Sequence, residues 1–154
     1  MLACITSHSL FGLEGEVISV EVDIRRGLPG IDIVGLPDSA VRESRERVRV
    51  AVRNAGFAYP RDRILVNLAP AGLKKGGAAF DLPIALGILA ASGQITLPGI
   101  DRVLVLGELN LSGRVCPVNG VIAAVELGLR NGLTRFVVPA ANAKEARILG
   151  QGEV

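Results

Sequence analysis

Gly27-Leu28-Pro29-Gly30-Ile31-Asp32-Ile33-Val34-Gly35-Leu36-Pro37-Asp38 runs directly into Ser39-Ala40-Val41-Arg42-Glu43-Ser44-Arg45-Glu46-Arg47-Val48-Arg49. A turn, a strand, a second turn and a helix follow one another with no spare residues. Gly27 to Gly30 bracket a proline with positions that tolerate positive φ, which is turn chemistry. Ile31 to Val34 is a short β-branched run and reads as a strand. Gly35-Leu36-Pro37 breaks it. Asp38 is an N-cap, because its carboxylate can accept from the free N–H groups of the next turn. The helix then runs to about Asn54-Ala55-Gly56, residues that suit a C-terminal stop. Val41, Ser44, Val48, Ala51, Val52 and Ala55 recur at helical spacing and are expected to face the core.

The same reading extends outward. Residues 3–10 and 16–25 form two strands joined by a turn at Phe11-Gly12-Leu13-Glu14-Gly15, and apolar residues alternate cleanly from Ile18 to Ile24. Residues 64–68 are a central strand. Residues 70–77 are a loop carrying Lys74-Lys75-Gly76-Gly77. A largely apolar helix spans 78–91, with Asp81 near its start, where the helix dipole favours a negative charge. Residues 102–106 are a strand. The turn-rich stretch 107–113 leads to Arg114-Val115-Cys116-Pro117. Helix 121–130 closes at Asn131-Gly132, residues 135–138 are the last strand, and a short helix occupies 140–149. The order predicts an α+β layer fold, a mixed sheet with packed helices, in a single domain over 1–149. Residues 150–154 carry no core pattern and read as the start of a linker.

The chain of 154 residues is long enough to bury a real core, and 49% of it is hydrophobic while only 3% is aromatic. Val, Ile, Leu and Ala must therefore fill the interior. The net charge of +2 does not by itself demand nucleic acid. Its distribution is more informative, because most of the arginines lie between Arg25 and Arg63. Cys4 and Cys116 have neither disulfide-framework nor zinc spacing and read as free thiols in a cytoplasmic protein. No apolar run is long enough to span a membrane, and no basic-then-apolar leader opens the chain.

Arg42, Arg45, Arg49 and Arg53 fall within an arc of roughly 80° on the first helix. That stripe has two readings. One is a solvated face with Arg42–Glu46 and Glu43–Arg47 pairs. The other is a phosphate-facing surface, to which Arg61, Arg63, Lys74 and Lys75 would add. Gly76-Gly77 would let backbone approach a phosphate, or be an ordinary surface turn. His8, the single histidine, is a surface strand residue or a site residue. No Gly-Lys pair exists for a phosphate-cradling P-loop, no nucleophile elbow is present, and Asp32, Asp38, Asp81 and Glu108 are too dispersed to define a metal site.

Two further stretches decide the family resemblance. One is Val66-Asn67-Leu68-Ala69-Pro70-Ala71-Gly72-Leu73-Lys74-Lys75-Gly76-Gly77-Ala78-Ala79-Phe80-Asp81-Leu82-Pro83-Ile84-Ala85. The other is Gly107-Glu108-Leu109-Asn110-Leu111-Ser112-Gly113-Arg114-Val115-Cys116-Pro117-Val118-Asn119-Gly120. With residues 27–49 they resemble the N-terminal domain of the ComM/YifB family, the magnesium-chelatase-like competence ATPases. The resemblance implies a fold similar to the Lon proteolytic domain and the C-terminal domain of RadA. It implies that an AAA+ module using ATP and Mg2+ follows this domain, whose own share of the cofactors is none. It implies ring-forming motors that act on single-stranded or branched DNA in recombination and natural transformation. A Lon-type peptidase needs a serine and a lysine that takes its proton. The matching positions here are Ala78 and Ile122, and Ala79, Val121 and Ala123 beside them are equally inert. The expectation is therefore a non-catalytic, cytoplasmic DNA-binding and ring-assembly domain with no membrane partner. The alternative is a purely protein–protein contact or regulatory domain, in which the Leu28-Pro29 and Leu36-Pro37 turns meet neighbours.

Overall fold

The computed structural model describes residues 1–11 and 14–154. The turn expected around Gly12 and Leu13 lies outside the described residues. The strands are β1 (Leu2–Phe11), β2 (Glu14–Arg25), β3 (Gly30–Val34), β4 (Arg63–Ala69), β5 (Val103–Val105), β6 (Glu108–Leu109), β7 (Val115–Cys116) and β8 (Arg135–Val137). The helices are α1 (Ser39–Asn54), α2 (Asp81–Ala91), α3 (Val121–Arg130) and α4 (Ala143–Ala146). One mixed sheet has the order β3-β4-β2-β1-β5-β8, and β6-β7 forms a small separate hairpin. β1, β2 and β4 pair antiparallel, while β3, β5 and β8 join their neighbours in parallel. This is the expected α+β layer architecture.

The alternation in β2 does what it predicts: Ile18, Val20 and Val22 are fully buried. They form one core with Val41, Val48 and Val52 of α1 and Ile84 and Ile88 of α2. A second cluster gathers Leu104, Val121, Val125 and Phe136. In β5, Val103 and Val105 join the first cluster and Leu104 the second. Successive side chains of a strand point to opposite faces, so α1 and α2 cover one face of the sheet at β5, and α3 and α4 cover the other.

Several boundaries differ from the sequence reading. The second helix begins at Asp81 rather than residue 78, because Ala79 O is taken by Gly107 N in a turn. The last helix is a 3-10 turn followed by four α residues. Ala55 is exposed rather than core-facing, since it is the C-cap of α1 and the helix has ended there. The stretch 150–154 is docked: Phe136 N donates to Glu153 O at 2.8 Å, Glu153 N to Thr134 O at 2.7 Å, and Val154 packs on the second cluster.

Candidate functional site

The Asp38 cap forms as read. Its carboxylate accepts from Val41 N at 2.8 Å and, with its other oxygen, from Gly77 N at 3.2 Å. One side chain thus starts α1 and fastens the glycine loop. Two backbone bonds join the same segments, Lys75 N to Leu36 O (3.0 Å) and Asp38 N to Lys75 O (2.8 Å). Gly35 holds φ at 100°, and a Cβ there would lie 2.2 Å from Leu68 O, so only glycine fits.

On α1, Arg42, Arg45 and Arg53 are exposed. Among the described residues none of the three enters an ion pair. Arg45 Nε donates to Arg42 O at 3.0 Å, and Arg53 sits 5.9 Å from the Tyr59 ring centroid. Arg49 is half-buried and donates to Glu46 at 2.6 Å, so Glu46 serves Arg49. The Glu43–Arg47 pair forms at 3.5 Å. Arg61 is exposed, and Arg63 is half-exposed and pairs with Asp32 of β3. Lys74 is exposed. Lys75 is not: its side chain is 0% exposed and its Nζ donates to Pro70 O. Its expected place on a phosphate-facing loop is therefore corrected. Adjacent residues in an extended segment point opposite ways, so only one of the Lys74-Lys75 pair can face water. Burial pushes the Lys75 amine below its ordinary pKa.

The main partner of Arg47 is one that helix spacing cannot reveal. Asp81, fully buried at the start of α2, accepts from Arg47 Nε (2.8 Å), Arg47 Nη2 (3.1 Å), Ser44 Oγ (2.5 Å) and Leu109 N (3.1 Å). That hydrogen bonding holds the guanidinium charged more firmly than usual. The cluster pins α1, α2 and β6 together.

Ala78, at the position the resemblance gives to a nucleophile, lines a cavity of about 350 Å³. The cavity is bounded by residues 76–79, Leu106, Glu108, residues 117–120 and His8. Ile122 is 39% exposed on the first turn of α3. His8 is buried rather than a surface strand residue, and burial pulls its imidazole below the ordinary pKa. Cys4 and Cys116 are free and half-buried. Among the described residues no cluster of three His, Cys, Asp or Glu side chains could hold a metal, and no helix is long and apolar enough to cross a membrane.

The family model described as subunit ChlI of Mg-chelatase matches residues 20–142. An uncharacterized protein of Mycobacterium tuberculosis is 46% identical over 143 residues, covering 93% of this chain and 28% of that protein. Competence protein ComM of Haemophilus influenzae is 42% identical over 148 residues, 96% of this chain and 29% of its own length. Protein YifB of Escherichia coli is 40% identical over 152 residues, 98% and 30% respectively. A more distant likeness, 24% over 138 residues, is to the Lon protease of Syntrophomonas wolfei. The chain spans under a third of the length of the curated relatives it matches.

Proposed function

This chain belongs to the magnesium-chelatase-like ComM/YifB family, and we propose that it is a non-catalytic N-terminal domain that helps an AAA+ motor bind DNA and assemble as a ring. One observation carries the DNA half of this reading. Arg42, Arg45 and Arg53 lie exposed on one face of α1 and, among the described residues, outside any ion pair, whereas the neighbouring Arg47 is consumed by Asp81. Guanidinium groups left unneutralised on a rigid helix suit phosphate contacts, which bring affinity and salt dependence but little sequence preference. Arg61 and Lys74 extend the basic surface, and Arg63 contributes only by sharing its charge with Asp32. The non-catalytic half rests on Ala78 and Ile122, which offer neither hydroxyl nor amine. ATP and Mg2+ belong to the AAA+ module, and the domain works in the cytoplasm.

A second reading, protein contact alone, draws on the apolar turn tips. Leu28 is 85% exposed, and Leu36 is 51% exposed with φ at +57°. A displayed leucine held in the left-handed region is a strained feature of the kind found at contact sites.

Fluorescence anisotropy of the 154-residue chain on single-stranded, duplex and forked DNA across a salt series separates the two. The DNA reading expects a log–log salt slope of about −3 to −5, reduced by about 1 to 2 in Arg42→Ala/Arg45→Ala. Absence of binding at low salt overturns it and leaves the contact reading.

A further inference from the structure

The six-stranded sheet ends differently on its two sides. At β8 the chain covers its own edge, because Arg135 bridges Glu153 in parallel. At β3, among the described residues, no segment does: Gly30–Val34 pairs with β4 on one side and takes part in no other backbone hydrogen bond. We propose that this open edge takes an extended acidic peptide of a protein partner as an added strand, its carboxylates on the side of α1 and its apolar residues on the other.

Sheets ordinarily guard such an edge with lysine, proline, a bulge or a covering segment. β3 carries none of these. Its register against β4 is unbroken from Gly30 to Val34, it holds no lysine or proline, and its one charge, Asp32, is held by Arg63. Apolar side chains stand at the edge instead. Ile31 and Ile33 pack on the first core cluster beneath α1. Val34 alternates with them, so it lies on the opposite face, where it is 42% exposed. Leu28 precedes the strand and Leu36 follows it, the latter with its backbone in the left-handed region.

The charge comes from α1. It packs on β3, while α2 packs on β1 and β2. Ser44 and Arg47 turn toward α2, where they meet Asp81. Arg42, Arg45, Arg49 and Arg53 lie roughly 120–160° round the helix from Arg47, so the stripe faces the side on which the sheet ends. α1 is the crossover between the parallel strands β3 and β4, so it runs back along β3 and carries the stripe beside the open edge. Arg26 and Arg61, both exposed, add charge at the Gly30 end, where Arg63 is in register. A strand added to β3 places alternate side chains under the stripe and the others beside Val34. That is charge complementarity for carboxylates at every second residue. A peptide also fits the edge better than a nucleic acid does. β3 offers both N–H donors and C=O acceptors along its edge, and a phosphate backbone answers only the donors. The site shares arginines with the DNA reading but does not rest on it.

The test is amide hydrogen exchange by NMR on the chain, titrated with an acetylated octapeptide that alternates glutamate and valine. The amides of 30–34 that face away from β4 should exchange freely alone and become protected saturably by this peptide, less so as salt is added. An octapeptide alternating lysine and valine should protect nothing. A block peptide of the same composition, glutamates first and valines after, should bind at least about tenfold more weakly, because edge pairing and charge contact no longer coincide. Arg42→Glu/Arg45→Glu should lose at least about tenfold as well. Leu36→Gly, which suits the positive φ and so keeps the fold, should weaken binding several-fold. The proposal is overturned by equal binding of the block or lysine peptide, by shifts on α1 without protection of 30–34, or by no saturable effect. It is equally overturned if oligothymidylate protects the same amides, or if they become protected with rising protein concentration alone, as a second copy on the edge would cause. DNA anisotropy on the same samples separates the two readings. Peptide protection without DNA binding leaves this site standing, and DNA binding without peptide protection removes it and spares the arginine face.

Discussion

Replacing Asp81 by asparagine tests whether the buried pin between α1, α2 and β6 is the main polar determinant of this fold. The wild-type carboxylate accepts four hydrogen bonds, one oxygen serving Ser44 Oγ and Arg47 Nη2 and the other serving Arg47 Nε and Leu109 N. Asparagine keeps one accepting oxygen. Its amide nitrogen is best placed toward Ser44 Oγ and Arg47 Nη2, where the hydroxyl can turn and accept but the guanidinium cannot. One bond to a charged acceptor is lost at about 1.5–3 kcal/mol, and Arg47 also loses its buried counter-charge, which together approach the roughly 3–5 kcal/mol cost of removing one partner of a buried ion pair. Arg47 is 22% exposed, so water answers part of its guanidinium and the low end, about 3 kcal/mol, is expected. For a chain of this size each kcal/mol moves Tm by about 2–4 °C, which gives a drop of about 6–12 °C. Circular-dichroism melts and urea titrations measure it. Glu43→Gln, which removes only the exposed partner of Arg47, should cost under about 0.5 kcal/mol. If Asp81→Asn lost no more than Glu43→Gln, the network would be an ornament of the packing and the reasoning would fail.

Two further outcomes concern buried bases. Lys75 is protonated up to its ordinary pKa in the unfolded chain but loses its proton earlier when folded; between those limits the unfolded state binds more protons, so stability rises with pH. Urea unfolding from pH 7 to 10.5 should show the wild type gaining on Lys75→Met as pH climbs, with DNA affinity unchanged by the substitution; parallel stability curves would refute the burial. His8, also lowered by burial, carries the same sign in a lower window. Wild-type stability should fall as pH drops below about 6.5 and level off below the folded pKa, while His8→Gln lacks that slope.

Local chemistry wrote much of this fold in plain form. Asp38 reads as a cap, Gly35 as an obligatory break and the β2 alternation as a half-buried strand, because each depends on neighbours within a few residues. What escaped the sequence depends on partners far along the chain. Arg47 reads as one half of an i,i+4 pair, yet its deeper partner lies 34 residues away. Lys75 reads as a loop cation until Pro37 pairs beside it and turns its side chain inward. His8 reads as a surface strand residue because nothing local says that α3 will cover it. The stretch 150–154 lacks a core pattern because backbone hydrogen bonding to residues 134–136 and a single packed side chain, Val154, dock it, and neither makes a periodicity.

The three stretches that carry the family resemblance are one physical unit. Asp38 in the first holds Gly77 in the second, and Ser44 and Arg47 in the first hold Asp81 in the second. Asp81 accepts from Leu109 in the third, while Leu82 N donates to Gly107 O and Gly107 N to Ala79 O. The sequence shows three separate motifs, and the hydrogen bonds join them beside a cavity that the second and third line. A family string kept only to present arginines to DNA would not need this lacing, since exposed guanidinium groups tolerate loose support. The lacing therefore does two things at once: it holds α1 and its exposed arginines rigid, and it fixes the cavity walls, which come from the second and third strings while the first fastens their glycine loop.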